Sequence, residues 1–459
     1  MEITKRLAEF IVDTDTDSIP QAAFPTARDA FIDCLGVTLA GSQEEAGRII
    51  ASFLRKLGGE PRAAVVGWGF RTPPPEAALA NGTAAHALDY DDVSPGIRGH
   101  PSVVLLPPVL ALGEEAHASG REVLAGYIIG FEVASRVGNA MSADYSDDLG
   151  WHPTAPLGAL GAAAASARLL RLDKRQTAMA LGLAASQAAG LRQNFGTMTK
   201  PFHAGNAARS GVVAALLAEA GFTAATDALE GRFGFCHAFS GGKGYNTANI
   251  TRGLGETFLI APGIGIKKYP SCYVTHRAID AMLHLCQTHD IRPEGIERVE
   301  CQVDPAALDI LTYAEPATPL EAKFSMQFCL AAAALKRRVS LTEFTPELLS
   351  SAVIRELMGR ITMRSRSERG DAILGTTPDT VVVRLKDGRE YRNGVARARG
   401  HAELPLTREE LVSKYRECAT PVLGEEGAER SLNLMESFEE LKDISELMDI
   451  VIAAPTPTG

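Results

Sequence analysis

The chain lacks the spacings that mark several common functions. Its seven cysteines (Cys34, Cys236, Cys272, Cys286, Cys301, Cys329 and Cys418) contain no C-x-x-C pair. That removes a metal ribbon, and a chain of 459 residues can bury enough core to need no disulfide framework. No G-x-G-x-x-G follows a strand-like run, so a dinucleotide site has no support, and "SGGKGYN" (240–246) misses the spacing of a phosphate loop. Ten histidines are present, but none are spaced as H-x-x-x-H or H-E-x-x-H, and no metal is indicated. An excess of positive charge is also missing. Lys plus Arg number 46 against 56 Asp plus Glu, giving a net charge of −10, which argues against a nucleic-acid surface. No apolar run reaches the ~20 residues of a membrane span: "SVVLLPPVLALG" is interrupted by two prolines, and Ala155–Ala167 stops at Arg168. The first residues carry no apolar segment after their basic pair, so a soluble cytoplasmic protein is expected.

Alanine, leucine and glycine are plentiful instead. "DAFIDCLGVTLAG", "PPPEAALANGTAAHALDY", "APLGALGAAAASARLLRL", "RQTAMALGLAASQAAG" and "NAARSGVVAALLAEAGF" all read as helices, and their small residues suit helices packed closely on one another. After about residue 262 the texture changes. "IERVECQVDP" and "DTVVVRLKDGREYRNGV" alternate like strands, the second with Asp387-Gly388 placed as a hairpin turn, and "EAKFSMQFCLAAAALKRR" lies between them as a helix. The expected fold is mainly α: a large all-helical domain from 1–262 together with 406–459, and a smaller α+β lid domain over 263–405.

Four stretches carry candidate chemistry. In "HALDYDDVSPGIRGHPS" (86–102), a helical run ends among acids, and His100 stands where a loop re-enters an apolar segment. A histidine half-desolvated there, with Asp91 to orient it, has the makings of an acid/base group, and Arg98 is a candidate substrate contact. In "ADYSDDLGWHPTAPLG", His152 precedes a helix start, and Tyr145 lies in a loop-like context as a possible proton donor. "NFGTMTKPFHAGNAARSG" is expected to be a shaped loop holding Thr199, Lys200 and His203, running into a helix near Asn206. "GIGIKKYPSCYVTH" opens the second domain with Lys267, Lys268, Ser271 and Cys272. Taken singly, each has a bland alternative: solvated acids, a capping histidine, a packed tyrosine ring, a solvated lysine, an inert buried thiol.

In this order, "NGTAAHALDYDD" with "GHPS", "GWHPT", "NFGTMTKPFHAGNAARSG", "KKYPSCYVTH" and "EAKFSMQF" resemble the MmgE/PrpD family, over about residues 5 to 420. The resemblance implies a helical domain built from both chain ends, a smaller lid, a homodimer, and no metal, flavin or nicotinamide. It implies a small di- or tricarboxylate as substrate, with Asp91, His100, His152, Lys200 and Lys267 at the family's polar active-site positions and Tyr145 matching the epimerase branch. Where the family's dehydratases carry a tryptophan-containing stretch, this chain has "DDVSPGIRGHPS", and its loops look closer to iminodisuccinate epimerases. The expected activity is a cofactor-independent lyase of the dehydratase or decarboxylase kind. An epimerase, or a helical dimer that only binds carboxylates, are the alternatives.

Overall fold

Small side chains set how the helices meet. The structure, a computed structural model, describes residues 2–142, 144–367 and 377–453. In chain order the first helices are α1 (Ile3–Asp13), α2 (Ala23–Ser42), α3 (Glu45–Leu57), α4 (Pro74–Ala87), α5 (Ser102–Glu115), α6 (Gly120–Ala140), α7 (Asp144–Asp147), α8 (Thr154–Leu169), α9 (Lys174–Gln187) and α10 (Thr199–Glu219). A two-stranded hairpin, β1 (Ala63–Val65) with β2 (Phe70–Thr72), lies between α3 and α4. Helix α8 buries every residue from Thr154 to Ala167, and α4 every residue from Ala77 to Ala87. A helix apolar all round is a central one, and both are wrapped by neighbours: α4 packs on α2, α5 and α10, and α8 on α6 and α10.

The crossing of α4 and α10 depends on glycine. A Cβ at Gly205 would lie 2.3 Å from both the Leu79 carbonyl oxygen and Thr83 Oγ1. The Gly205→Ala variant is therefore expected to lose about 1–3 kcal/mol of stability through overpacking, read as a lower urea midpoint with helical content retained. An unchanged midpoint would show that the two helices can separate at no cost.

Chain segments Met1–Ala87, Asp91–Ile264 and Thr407–Gly459 form one compact unit. Leu88–Tyr90 and Gly265–Leu406 form a second. In the second, α11 (His276–Thr288) and α12 (Met326–Lys336) pack on a four-stranded sheet of β3 (Ile296–Val303), β4 (Ile361–Ser365), β5 (Asp379–Leu385) and β6 (Glu390–Val395), in the order β4-β3-β5-β6. β3 runs parallel to β4 and antiparallel to β5. β5 and β6 form a hairpin whose turn holds Gly388 at φ 88, a left-handed conformation that suits glycine. Ile279, Met282, Val299, Phe328, Val381 and Val383 share its core.

The last segment returns to the first unit as α13 (Arg408–Glu436), broken at Gly424, with Lys414 Nζ 2.6 Å from Asp33 Oδ1 on α2. Among the described residues no helix is long and apolar enough to cross a membrane, and the seven cysteines are free thiols.

Candidate active site

The site begins where α4 ends. His86, in its last turn, is fully buried among alanines. The chain then gives Leu88–Tyr90 to the second unit and returns at Asp91. From there a tight loop, closed by the Ser94 N–H donating to the Gly99 carbonyl at 2.9 Å, delivers His100 just ahead of α5. Arg98 occupies the bend with φ 52.

Asp91 is wholly buried and lies between two imidazoles. Its Oδ1 is 2.9 Å from His86 Nδ1, and its Oδ2 is 2.7 Å from His100 Nδ1. Burial pushes this carboxyl up, but the two imidazoles outweigh it and hold Asp91 well below the usual carboxylate range. His100 Nδ1 also approaches the Asp92 carbonyl oxygen at 3.0 Å. With acceptors on that side, Nδ1 carries the hydrogen, and in the neutral ring Nε2 holds the lone pair; this tautomer is assigned from the partners.

Asp92 has a different task. The Ser102 N–H donates to its Oδ1 at 3.1 Å, Ser102 Oγ donates to its Oδ2, and Tyr127 OH is 2.6 Å from that same Oγ. Burial, with the charges of Asp33 and Asp91, raises the Asp92 carboxyl to about 8. It is therefore a neutral acid near pH 7, tying the loop to the start of α5.

His152, just before α8, is buried, and its N–H donates to the Gly190 carbonyl at 3.0 Å. Its ring stacks on His86 at 5.8 Å, stands 6.3 Å from His100, and meets Phe195 edge-on at 5.0 Å. Its Nδ1 is 3.2 Å from His203 Nδ1, so one of the pair donates. Burial, then the charge of Lys200, keeps His152 well below the usual imidazole range and brings His203 down to about 4. Lys200 is buried, with Nζ 5.5 Å from the centre of the Phe195 ring, a distance at which a cation gains from the ring face. Asp91, His100, His152, Lys200 and His203 thus form one cluster within the first unit.

Two expectations are corrected. The stretch holding Thr199, Lys200 and His203 is helix, not loop: α10 starts at Thr199, seven residues before Asn206. Pro201 did not stop it because it sits in the first turn, where the missing N–H would have no helical acceptor. Thr199 is exposed there, and its N–H is taken by Thr197 Oγ1 at 3.2 Å. Tyr145 also lies on a helical turn, α7, instead of a loop. Its ring is 6.4 Å from Phe239 and its hydroxyl is buried without a hydrogen-bond partner, which pushes it well above the usual phenol range. A phenol so placed holds its proton firmly.

The other candidates lie in the second unit. Lys267 is buried and donates from Nζ to the Asp89 carbonyl oxygen at 2.7 Å and to Asp89 Oδ1 at 2.9 Å. The Lys268 carbonyl accepts from Tyr90 OH at 3.2 Å. Ser271 Oγ is 2.8 Å from Thr275 Oγ1, and Cys272, partly buried, donates its N–H to the Lys323 carbonyl at 2.9 Å.

Sequence reasoning passed over His86 as a site residue. The signal was there: the one ionisable residue in α4 after Glu76 of the first turn, in a run otherwise of alanine and other uncharged residues. His86, His100 and His152 each place a ring nitrogen within 4.8 Å of the others, a spacing a transition ion could use. The charge of Lys200, felt by His86 and His152, acts against a second cation there, while the ionised Asp91 beside His86 acts in favour of one.

Comparison with known proteins relates the chain to one family along most of its length. The MmgE/PrpD N-terminal domain matches residues 5–248, and the MmgE/PrpD C-terminal domain matches 269–440. Cis-aconitate decarboxylase of Mus musculus is 26% identical over 97% of this chain and 92% of its own length. The human enzyme of that name is 26% identical over 99% and 95%, and that of Aspergillus terreus 27% over 98% and 96%. With family models matching both parts of its length and relatives aligned nearly end to end, the chain belongs to the MmgE/PrpD family.

Proposed function

We propose that this protein is a lyase that decarboxylates cis-aconitate or a similar small unsaturated polycarboxylate. The observation that carries the reading is a carboxylate-held pair of imidazoles, one buried and one partly exposed, beside Lys200 in a chain aligned nearly end to end with cis-aconitate decarboxylases.

In such a reaction the bond to one carboxylate carbon breaks and carbon dioxide leaves. The freed electron pair forms a new C=C bond, and the pair of the old C=C bond takes up a proton at its far carbon. The enzyme must hold the remaining carboxylates and deliver one proton. Lys200 supplies a fixed positive charge to the carboxylates, strong because it is buried. His100 is the proton carrier, its charged form compensated by Asp91. His152, neutral, offers a hydrogen bond without adding charge.

The experiment is proton NMR in D₂O with cis-aconitate, 2-methylcitrate, citrate and iminodisuccinate. A new vinyl signal with release of carbon dioxide supports the proposal. A vinyl signal without carbon dioxide replaces it with dehydration, and deuterium exchange with inverted configuration replaces it with epimerisation. Silence across the panel defeats it.

Lys200→Met is expected to raise KM about 10-fold or more, since hydrogen bonds to charged groups contribute roughly 1.5–3 kcal/mol. Steady-state kinetics check this, and an unchanged KM would remove Lys200 from substrate binding.

A further inference from the structure

The geometry points to His86 as the positioning residue of this site, a donor that fixes the Asp91 carboxylate so that its other oxygen serves His100. The inference rests on the proton-carrier role proposed for His100 and adds a residue to it.

A carboxylate that must orient one imidazole has a free choice of rotation unless its second oxygen is also engaged. Here the two oxygens face two rings: Oδ1 accepts from His86 Nδ1 at 2.9 Å, and Oδ2 is 2.7 Å from His100 Nδ1. That second contact is an ion pair when the His100 ring is charged, with the Nδ1 hydrogen bond itself made to the Asp92 carbonyl at 3.0 Å. The rings themselves are 4.4 Å apart, tilted by 57°. His86 has no exposed surface in its side chain, and its Nε2 is buried without a hydrogen-bond partner. An ionised carboxylate only accepts, so the single N–H of a neutral His86 must sit on Nδ1.

The neutral state follows from the surroundings. Burial is the largest influence on His86, holding it at about 3, and the charges of Lys200 and His100 act in the same direction while Asp91 opposes them. Groups facing this pair come from several elements: His152 ahead of α8, Lys200 on α10, Asp92 in the loop, and Asp33 and Cys34 on α2. A ring held at about 3 does not take up a proton between pH 5 and 8. His86 can therefore hold Asp91 throughout that range without competing with His100 for the proton. Packing alone would not require an imidazole here; an apolar ring would fill the same space and leave no buried nitrogen without a partner.

The test compares His86→Asn, which keeps an N–H near the Nδ1 position, with His86→Leu, which keeps bulk and removes the donor. Both are first shown to be folded by thermal denaturation. With the substrate turned over by the wild type, His86→Leu is expected to lose about 10-fold or more in kcat with KM within about 3-fold. Its acidic limb in the pH profile should move upward, because Asp91 without one imidazole protonates more readily. His86→Asn should recover at least a third of the lost kcat on a logarithmic scale. Wild-type kcat and pH profile in His86→Leu, or equal loss in both variants, would overturn the inference.

Imidazole ¹⁵N spectra give a reading that needs no turnover. His86 should stay a neutral Nδ1–H ring from pH 5 to 8, and the His100 signals should shift in His86→Leu. If His86 titrates in that range, or His100 is unmoved, the inference fails whatever the substrate. If the spectra behave as stated while no member of the panel is consumed, the substrate assignment fails and the positioning role stands.

Discussion

Replacing His100 by alanine is expected to reduce turnover by about 10²-fold or more, the usual contribution of a group that transfers a proton in the transition state. The ring is the one imidazole of the cluster that combines a buried ionised partner with partial exposure, its side chain 12% accessible against none for His86 and Asp91. Removing it leaves Asp91 buried with His86 alone, so part of the loss comes from an uncompensated carboxylate. His100→Asn separates the two effects, because the amide can still donate toward Asp91 but cannot carry a proton. Both variants should be slow, and the alanine variant should also be less stable. His152→Ala is expected to fall by a comparable factor, and the double variant by far less than the product, since groups acting on one step are not additive. Turnover near that of the wild type in both single variants, followed by proton NMR, would remove the imidazoles from the reaction.

Asp92→Asn is expected to stabilise the protein increasingly as the pH rises from about 4 to 8. The carboxyl ionises near 3.8 in an ordinary setting and at about 8 when folded. Below pH ~4 both folded and unfolded chains hold the proton, and Asp92 has no effect. Between pH ~4 and ~8 the unfolded chain has released it while the folded chain keeps it, so the folded state loses ground with each step in pH. At about 1.4 kcal/mol per pH unit, the accumulated cost is on the order of 5 kcal/mol. Asparagine imitates the neutral acid: its oxygen accepts from the Ser102 N–H, and its amide N–H can donate to Ser102 Oγ once that hydroxyl turns its own hydrogen to Tyr127 OH. The denaturant midpoints of variant and wild type should therefore coincide near pH 4 and diverge toward pH 8. A constant gap across that interval would mean that Asp92 is ionised in the folded protein.

Much of the helical architecture was legible because it is written in periodic small residues and in strong punctuation. The first-turn prolines of α4, the break between α8 and α9, and Asp387-Gly388 all act through local backbone preferences, whereas Gly41 lies inside α2, where a Cβ would meet the Ala84 carbonyl oxygen at 2.0 Å. The helix start at Thr199 was misread because Pro201 has two meanings, a breaker inside a helix and a neutral residue in its first turn, and only the surrounding packing chooses between them. The strands β1, β2 and β4 are three to five residues long, too short for alternation to show. In the site, the residues flanked by glycine and proline stood out, as His100, His152 and Lys200 did. His86 did not, because its partner Asp91 is five residues on, beyond helical spacing, and they meet only because the chain turns back. Tyr145 looked available between acids, yet its hydroxyl is buried without a hydrogen-bond partner.

The alanine and glycine contacts among α4, α8 and α10 bear on the entropy of assembly. Neither residue has a side-chain rotamer to lose, whereas each buried lysine, methionine or glutamine gives up as much as ~1.5–2 kcal/mol of such freedom. Docking these three helices therefore immobilises backbone but few χ angles. Most of the rotamer freedom surrendered around the cluster belongs to Lys200 and the imidazoles, which folding sets in place in advance of any ligand.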